Sequence, residues 1–227
     1  MKKLLKLGIL ITLSLSVYLI YNQTKDKNIT IMVLGDGLSE GINSYGIYDY
    51  SYVDYYKDYL EDKTVEINKK YCQKDLTIQR LLEKLKMYPE LKKDLREANI
   101  LFLNVGYVDL IYKLSLEENT IETTFSKDMK ELEENYQELI KEIRRYYRKH
   151  IITIGYYASN KDDYYLNKGI KELNHIYEKE QENIYIDTYN LLNDQKKYFS
   201  NPYSYYPNAL AHYEIAKKIM EKTLENS

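Results

Sequence analysis

Short apolar runs alternate with longer stretches in which apolar residues recur every three or four positions. The short runs are Ile29–Leu34, Val65–Ile67, Ile100–Val105, Ile151–Ile154 and Ile184–Ile186. Brief continuous runs that end at turn residues are typical of strands buried on both faces. We therefore predict five strands, three of which end at a glycine: Gly35, Gly106 and Gly155.

The stretches between these runs predict helices. Behind Thr77, a plausible N-cap, Ile78, Leu81, Leu82 and Leu85 fall on one helical face. Further helices are predicted at Asp49–Leu60, Leu91–Glu97, Ser126–Lys149 and Tyr164–Glu182, and a last one opens at Pro207 or Asn208. Strands that alternate with helices predict an α/β fold, a three-layer sandwich with a five-stranded, mostly parallel sheet.

In such a sheet, ligands bind beyond the carboxyl ends of the strands. The loops that follow Leu34, Val105 and Asp187 are therefore the places where we expect functional residues.

The first 28 residues differ from the rest of the chain. Lys2, Lys3 and Lys6 surround the start of an apolar stretch of about 18 residues that ends at Tyr21, close to the length that spans a bilayer. No small-residue cleavage pattern follows it, which favours an uncleaved signal anchor. We predict an anchor and tether at residues 1–28 and one domain at 29–227, with the lysines inside and the domain outside the cell membrane. A cleaved signal peptide would instead give a secreted domain.

Composition narrows the possible partners. The 33 basic and 35 acidic residues give a net charge of −2, which does not predict a nucleic-acid partner. The single cysteine excludes an internal disulfide, and no metal-ligand spacing links the three histidines, so we expect neither metal nor cofactor. The 28 tyrosines fit either a codon-biased genome or a tyrosine-lined surface for a sugar.

Three motifs stand at the expected positions. Gly35-Asp36-Gly37-Leu38-Ser39 follows the first predicted strand, Gly106-Tyr107-Val108-Asp109 follows the third, and Tyr203-Ser204-Tyr205-Tyr206-Pro207 precedes the last helix. In this order they resemble blocks of the SGNH (GDSL) hydrolases. The resemblance implies a flavodoxin-like SGNH fold with an ester-hydrolase ancestry.

The catalytic positions of that family are substituted. Gly37 stands at the position of the nucleophilic serine and Val108 at that of the oxyanion-hole asparagine, while Tyr203 and Tyr206 stand at those of the acid and base. The block that normally carries a glycine is Tyr71-Cys72-Gln73-Lys74-Asp75 here. Acyl transfer by serine needs a nucleophile, a base and oxyanion donors, so no catalytic residue is intact.

Other residues keep structural roles or line a pocket. We expect Asp36 to bond the turn after the first strand and Ser39 to cap a helix. The predicted pocket-lining residues are Asp36, Ser39, Tyr107, Asp109, Tyr203 and Tyr206. Tyr203 and Tyr206 could line an open glycan pocket or fill the space that the lost side chains leave, and we favour filling.

Three functions remain open. The first is a catalytically degenerate binding or scaffold module at the cell surface, with a cell-wall or surface glycan as partner. The second is an active hydrolase of acylated glycans or lipids that uses Ser39 or Ser204 with His212. The third is a structural membrane partner whose pocket has no role. We expect the first, since a lone polar side chain is more often structural than catalytic.

Overall fold

The computed structural model describes residues 28–60, 64–116, 121–158, 162–201 and 204–225. Of the predicted anchor and tether at residues 1–28, residues 1–27 lie outside these ranges, and so does Tyr203. Within the described ranges, no helix combines the length and the apolar character needed to cross a bilayer.

The chain forms the five predicted strands. They are β1 Asn28–Gly35, β2 Thr64–Asn68, β3 Ile100–Asn104, β4 Ile151–Ile154 and β5 Asn183–Ile186. Between and after them come α1 Gly37–Glu40, α2 Tyr52–Asp58, α3 Ile78–Met87, α4 Pro89–Glu97, α5 Tyr107–Leu116, α6 Ile121–Arg144, α7 Tyr164–Glu178, α8 Thr188–Leu191, α9 Gln195–Tyr198 and α10 Ala209–Glu225.

All strands are parallel, in the order β2-β1-β3-β4-β5. This is the flavodoxin-like order, with the change of direction between β1 and β3, and it confirms the predicted α/β architecture. Because the strands are parallel, Gly35, Asn104, Ile154 and Ile186 end at one edge of the sheet, which we call the carboxyl edge. The opposite, amino edge is where β1 begins at Asn28.

Helices cover both faces of the sheet. Met32 and Leu34 of β1 pack into one core with buried residues of α3 to α7. Ile31 and Val33, which alternate with them, pack into a second core with α2 and α10. All four side chains are fully buried, so helices cover β1 on both faces of the sheet, as in a three-layer sandwich.

Some helices start or end away from their predicted bounds. The predicted Asp49 helix begins at Tyr52, because Ser51 and Asp54 form a capping box there. The short α1, α8 and α9 and the ten-residue α5 were not predicted. In α5, Tyr107, Leu110, Ile111 and Leu114 do recur at the spacing of one helical face and pack against the core, so this helix could have been predicted.

The buried Asn174 of α7 ties that helix to the end of β4. Its Oδ1 accepts the backbone N–H of Tyr156 at 2.8 Å, and its Nδ2 donates to the Tyr156 carbonyl at 2.7 Å. Two backbone groups beyond the strand are thereby satisfied by one side chain.

We expect Asn174→Leu to lower the free energy of unfolding by about 2–4 kcal/mol, because it leaves both Tyr156 backbone groups buried without partners. Urea unfolding measures this effect. The neighbouring His175→Leu, at a side chain that is 59% exposed, is the matched control and should change stability by less than about 0.5 kcal/mol. Equal effects of the two substitutions would contradict the role of Asn174.

Candidate functional site

The turn after β1 is organised by Asp36. Its Oδ1 caps α1 by accepting the Leu38 N–H at 3.1 Å, and its Oδ2 accepts the Tyr156 hydroxyl at 2.5 Å. Its own N–H donates to the Asn104 carbonyl at 3.0 Å. Asp36 therefore joins the carboxyl ends of β1, β3 and β4, as its predicted turn role requires.

Ser39 lies under this turn and has no exposed surface. Its Oγ is 2.8 Å from the Tyr52 hydroxyl and donates to Asn104 Oδ1 at 3.5 Å. Asp36, not Ser39, caps α1, so the predicted capping role of Ser39 was wrong. Ser39 is a buried link between α1, α2 and β3, and its hydroxyl faces no open space.

The ring of Tyr206 lies directly against Gly37. A Cβ placed on Gly37 would lie 2.5 Å from Tyr206 Oη and 2.8 Å from its ring carbons. The backbone of Tyr206 is fixed as well, since its N–H donates to Ser204 Oγ at 3.0 Å and its carbonyl accepts from Ser44 Oγ at 2.9 Å. The ring fills the space over Gly37, as we expected; Tyr203 lies outside the described residues.

Tyr107 and Asp109 lie at the end of β3. The Tyr107 ring stacks on Tyr156 with centroids 5.1 Å apart and meets Tyr205 edge-on at 6.3 Å. Both carboxylate oxygens of Asp109 accept the Ile78 N–H, at 3.0 and 3.2 Å, so Asp109 holds the start of α3. Burial raises the pKa of Asp109 to about 6.

His212 is buried in α10 and makes no hydrogen bond to Ser39 within the described residues. Its Nδ1 accepts the Tyr52 N–H at 3.2 Å, and its ring stacks on Tyr52. Burial, with a smaller contribution from Lys69, lowers its pKa to about 4, so the ring is neutral at pH 7. With Nδ1 accepting, the proton is on Nε2, and the accepting nitrogen is engaged by the Tyr52 backbone and not by a serine hydroxyl.

The remaining serine considered as a nucleophile is also engaged. Ser204 Oγ donates to the Tyr206 carbonyl at 3.2 Å while it accepts the Tyr206 N–H. Its hydrogen bonds close the turn that presents the tyrosine ring.

The structure adds residues that the motifs did not indicate. Tyr156 and Asn104 connect the strand ends, and Asn104 Nδ2 donates to the Ile154 carbonyl at 2.9 Å. Lys74, from the block without glycine, lies 6.0 Å from the centre of the Tyr206 ring. Tyr156 directly follows Gly155 at the end of a predicted strand, and that position is the one sequence signal that could have identified it.

Within the described ranges, no three or more His, Cys, Asp or Glu side chains form a cluster that could hold a metal ion.

The predicted pocket-lining residues lie in different surroundings. Asp36, Tyr107 and Tyr206 meet at the carboxyl edge, whereas Ser39 and Asp109 point into the fold.

Asp36 is the buried carboxyl group of the site. Burial raises its pKa from 3.8 to about 7, although the hydrogen bonds from Tyr156 and Leu38 oppose the shift. The folded protein therefore keeps this proton between about pH 4 and pH 7, where the unfolded chain releases it. The contribution of Asp36 to the free energy of unfolding is therefore fully present at low pH and falls as the pH rises from about 4 to about 7.

We expect Asp36→Asn to remove this pH dependence. The stability of the unmodified protein relative to the variant should fall by up to about 4 kcal/mol between about pH 4 and pH 8, at about 1.4 kcal/mol per pKa unit. Urea unfolding of both proteins across this range measures the difference, in which other titrating groups cancel. Parallel pH profiles would contradict a buried, protonated Asp36.

Comparison with known proteins agrees with this geometry. Residues 31–219 match the model of the GDSL-like lipase/acylhydrolase family. Among solved structures, the lipase Lip_vut3 from a goat rumen metagenome has a TM-score of 0.74 at 18% identity, covering 86% of this chain and 97% of that chain. The acetylxylan esterase Axe2 from Geobacillus stearothermophilus has a TM-score of 0.58 at 16% identity, covering 86% and 93%.

No curated protein sequence matches the chain significantly. Identities this low show a shared fold and do not carry substrate or activity. The family match, in contrast, spans most of the chain and includes all three motifs up to Tyr206 and the start of the last helix. The chain belongs to the GDSL-like lipase/acylhydrolase family.

Proposed function

We propose that this family member is catalytically degenerate and acts as a binding or scaffold module on the outer face of the cell membrane. The observation that carries the proposal is the Tyr206 ring packed on Gly37, where the family places its nucleophile.

Several parts of the acyl-transfer machinery are missing together. Gly37 has no side chain, and Val108 has no hydrogen-bond donor to replace the family's asparagine. Loss of one oxyanion donor alone typically costs about 10²–10³ in rate. Loss of the nucleophile and base as well leaves little beyond positioning.

The alternative of an active ester hydrolase would need a replacement nucleophile and base. Ser39 and Ser204 are both engaged in hydrogen bonds within the fold, and His212 contacts Tyr52. Tyr206 Oη lies at the old nucleophile position, but burial raises its pKa well above that of free tyrosine, so it is not activated. No observation favours this alternative.

A rigid loop beside the blocked site is the better candidate for a contact surface. Asn43 Oδ1 accepts the N–H groups of Tyr45 and Ile47, and Asn43 and Ile47 also pair through their backbones. Tyr45, Ile47, Tyr48 and Tyr50 are all more than half exposed. A preformed loop that displays aromatic rings loses little entropy on binding, and a tyrosine offers a sugar ring both an apolar face and a hydroxyl. A cell-surface glycan is therefore our proposed ligand class.

The chemical part of the proposal is tested on the purified protein. We expect no labelling by serine-directed fluorophosphonates and no turnover of generic acyl esters, because the site holds no activated hydroxyl. Gly37→Ser should also remain inactive, since base and oxyanion donor are still absent. An active family esterase assayed alongside confirms the reagents. Turnover by the unmodified protein that Ser39→Ala or His212→Ala abolishes, in a variant that remains folded, would overturn the proposal.

Filling of the site is tested by a double-mutant cycle. We expect Gly37→Ala to cost about 1–3 kcal/mol of stability because the new Cβ meets the Tyr206 ring. In a Tyr206→Ala background the same change should cost much less. Gly169→Ala, whose Cβ meets Leu110 instead, is the control and should be additive with Tyr206→Ala. Additivity at Gly37 would show that the ring does not occupy this space.

A further inference from the structure

A basic surface lies at the amino edge of the sheet. It comprises Lys92 and Arg96 of α4 with Arg145, Arg148 and Lys149 of the loop before β4, and we call it the basic patch. Residues 92–99 and 144–150 contain seven Lys or Arg and two Asp or Glu, in a protein whose acidic residues slightly outnumber its basic ones. The positive charge is therefore local.

Much of this charge is available to an outside partner. Arg96, Arg148 and Lys149 are exposed, and no salt bridge in the described part of the chain includes them. The nearby carboxylates Glu97 and Glu142 already face Lys93 at 3.9 Å and Arg145 at 2.8 Å.

An aromatic ring lies within the same surface. Arg96 is 5.2 Å and Lys92 5.8 Å from the centre of the half-buried Tyr146 ring. Glu182 is the further acidic group beside the patch, 3.7 Å from the largely buried Arg144. Tyrosine is enriched at membrane–water interfaces, and its ring attracts cations placed over its face.

The patch adjoins the point where residues 1–27 join the domain. Lys149 Nζ donates to the Ala98 carbonyl at 2.9 Å, and the next residue, Asn99, pairs with Thr30 through two hydrogen bonds of 2.8 and 2.9 Å. Thr30 is two residues from Asn28, the first residue of β1. Any bilayer that held the N-terminal segment would therefore lie on the side of the patch.

We propose that the basic patch binds anionic phospholipid headgroups of the bilayer that holds the N-terminal segment. This inference rests on the membrane localisation proposed above. Each added cation near an anionic bilayer strengthens association about fivefold, so three cations without a carboxylate partner supply a second attachment beside the anchor. The carboxyl edge would then face away from the bilayer, because β1 separates the two edges by about 25 Å.

The test uses the full chain in liposomes of phosphatidylcholine alone or with about one third phosphatidylglycerol. Flotation shows whether the chain is anchored. Lysine acetylation, read by mass spectrometry, then reports on Lys149, with the exposed Lys196 of α9, at the opposite edge, as internal control. We expect Lys149 labelling to fall at least about threefold in the anionic liposomes and to recover at high salt, while Lys196 stays unchanged.

A charge-reversing variant tests the same surface. Arg148→Glu should restore Lys149 labelling in anionic liposomes, whereas Lys196→Glu, which reverses one charge at the other edge, should not. Equal Lys149 labelling in both liposomes, with the chain still floating, would contradict lipid binding by the basic patch but not membrane attachment by the N-terminal segment. A chain that does not float would overturn the localisation and the patch together. Protection by soluble glycerol phosphate in neutral liposomes would assign the patch to free phosphate and also overturn the proposal.

Discussion

Crowding at the carboxyl end of β1 is the constraint on which the site depends. A Cβ on Gly35 would lie 2.1 Å from Ser39 Oγ, and one on Gly37 would meet Tyr206, so both positions require glycine in this structure. The first glycine lets Ser39 of α1 approach the end of β1 closely. The second lets the large Tyr206 ring lie directly over the turn. The absence of a side chain at these two glycines therefore determines how closely α1 and the Tyr206 ring approach the end of β1.

Closing the site has an electrostatic consequence. The rings of Tyr156, Tyr107 and Tyr206 surround the end of β1, and the carboxyl group of Asp36 lies beneath them with 3% of its surface exposed. Removal of water from a carboxylate favours its protonated form, which is why its pKa rises despite two hydrogen bonds. In a protein that performed hydrolysis at this position, water would have to reach the reacting atoms. The raised pKa of Asp36 and the packing of Tyr206 therefore both reflect the exclusion of water from the end of β1.

The strands and the sheet could be predicted from the sequence because buried parallel strands leave continuous apolar runs and glycines at their ends. The site was predicted only where a motif marked it. Asp36, Gly37 and Tyr206 belong to such motifs, whereas Tyr156 and Asn104 reach the site through strand order and register, which no local pattern records. The predicted capping role of Ser39 was wrong because a serine shortly after a strand resembles a cap, and only its contact with Tyr52, 13 residues away, shows otherwise.

The parallel sheet gives the two ends of the molecule different surroundings. At the carboxyl edge, exposed tyrosines lie on a loop that Asn43 holds by hydrogen bonds. At the amino edge, a helix and a loop bring arginines and lysines together near Asn28. An active hydrolase needs an accessible cleft, whereas a tethered binding module needs a fixed orientation and a surface that faces its ligand. Cations around the point of attachment would limit rotation about the tether, and a closed site would let the exposed rings act as one continuous surface. The proposed binding role therefore depends on this arrangement of charge and aromatic side chains at opposite ends of the strands.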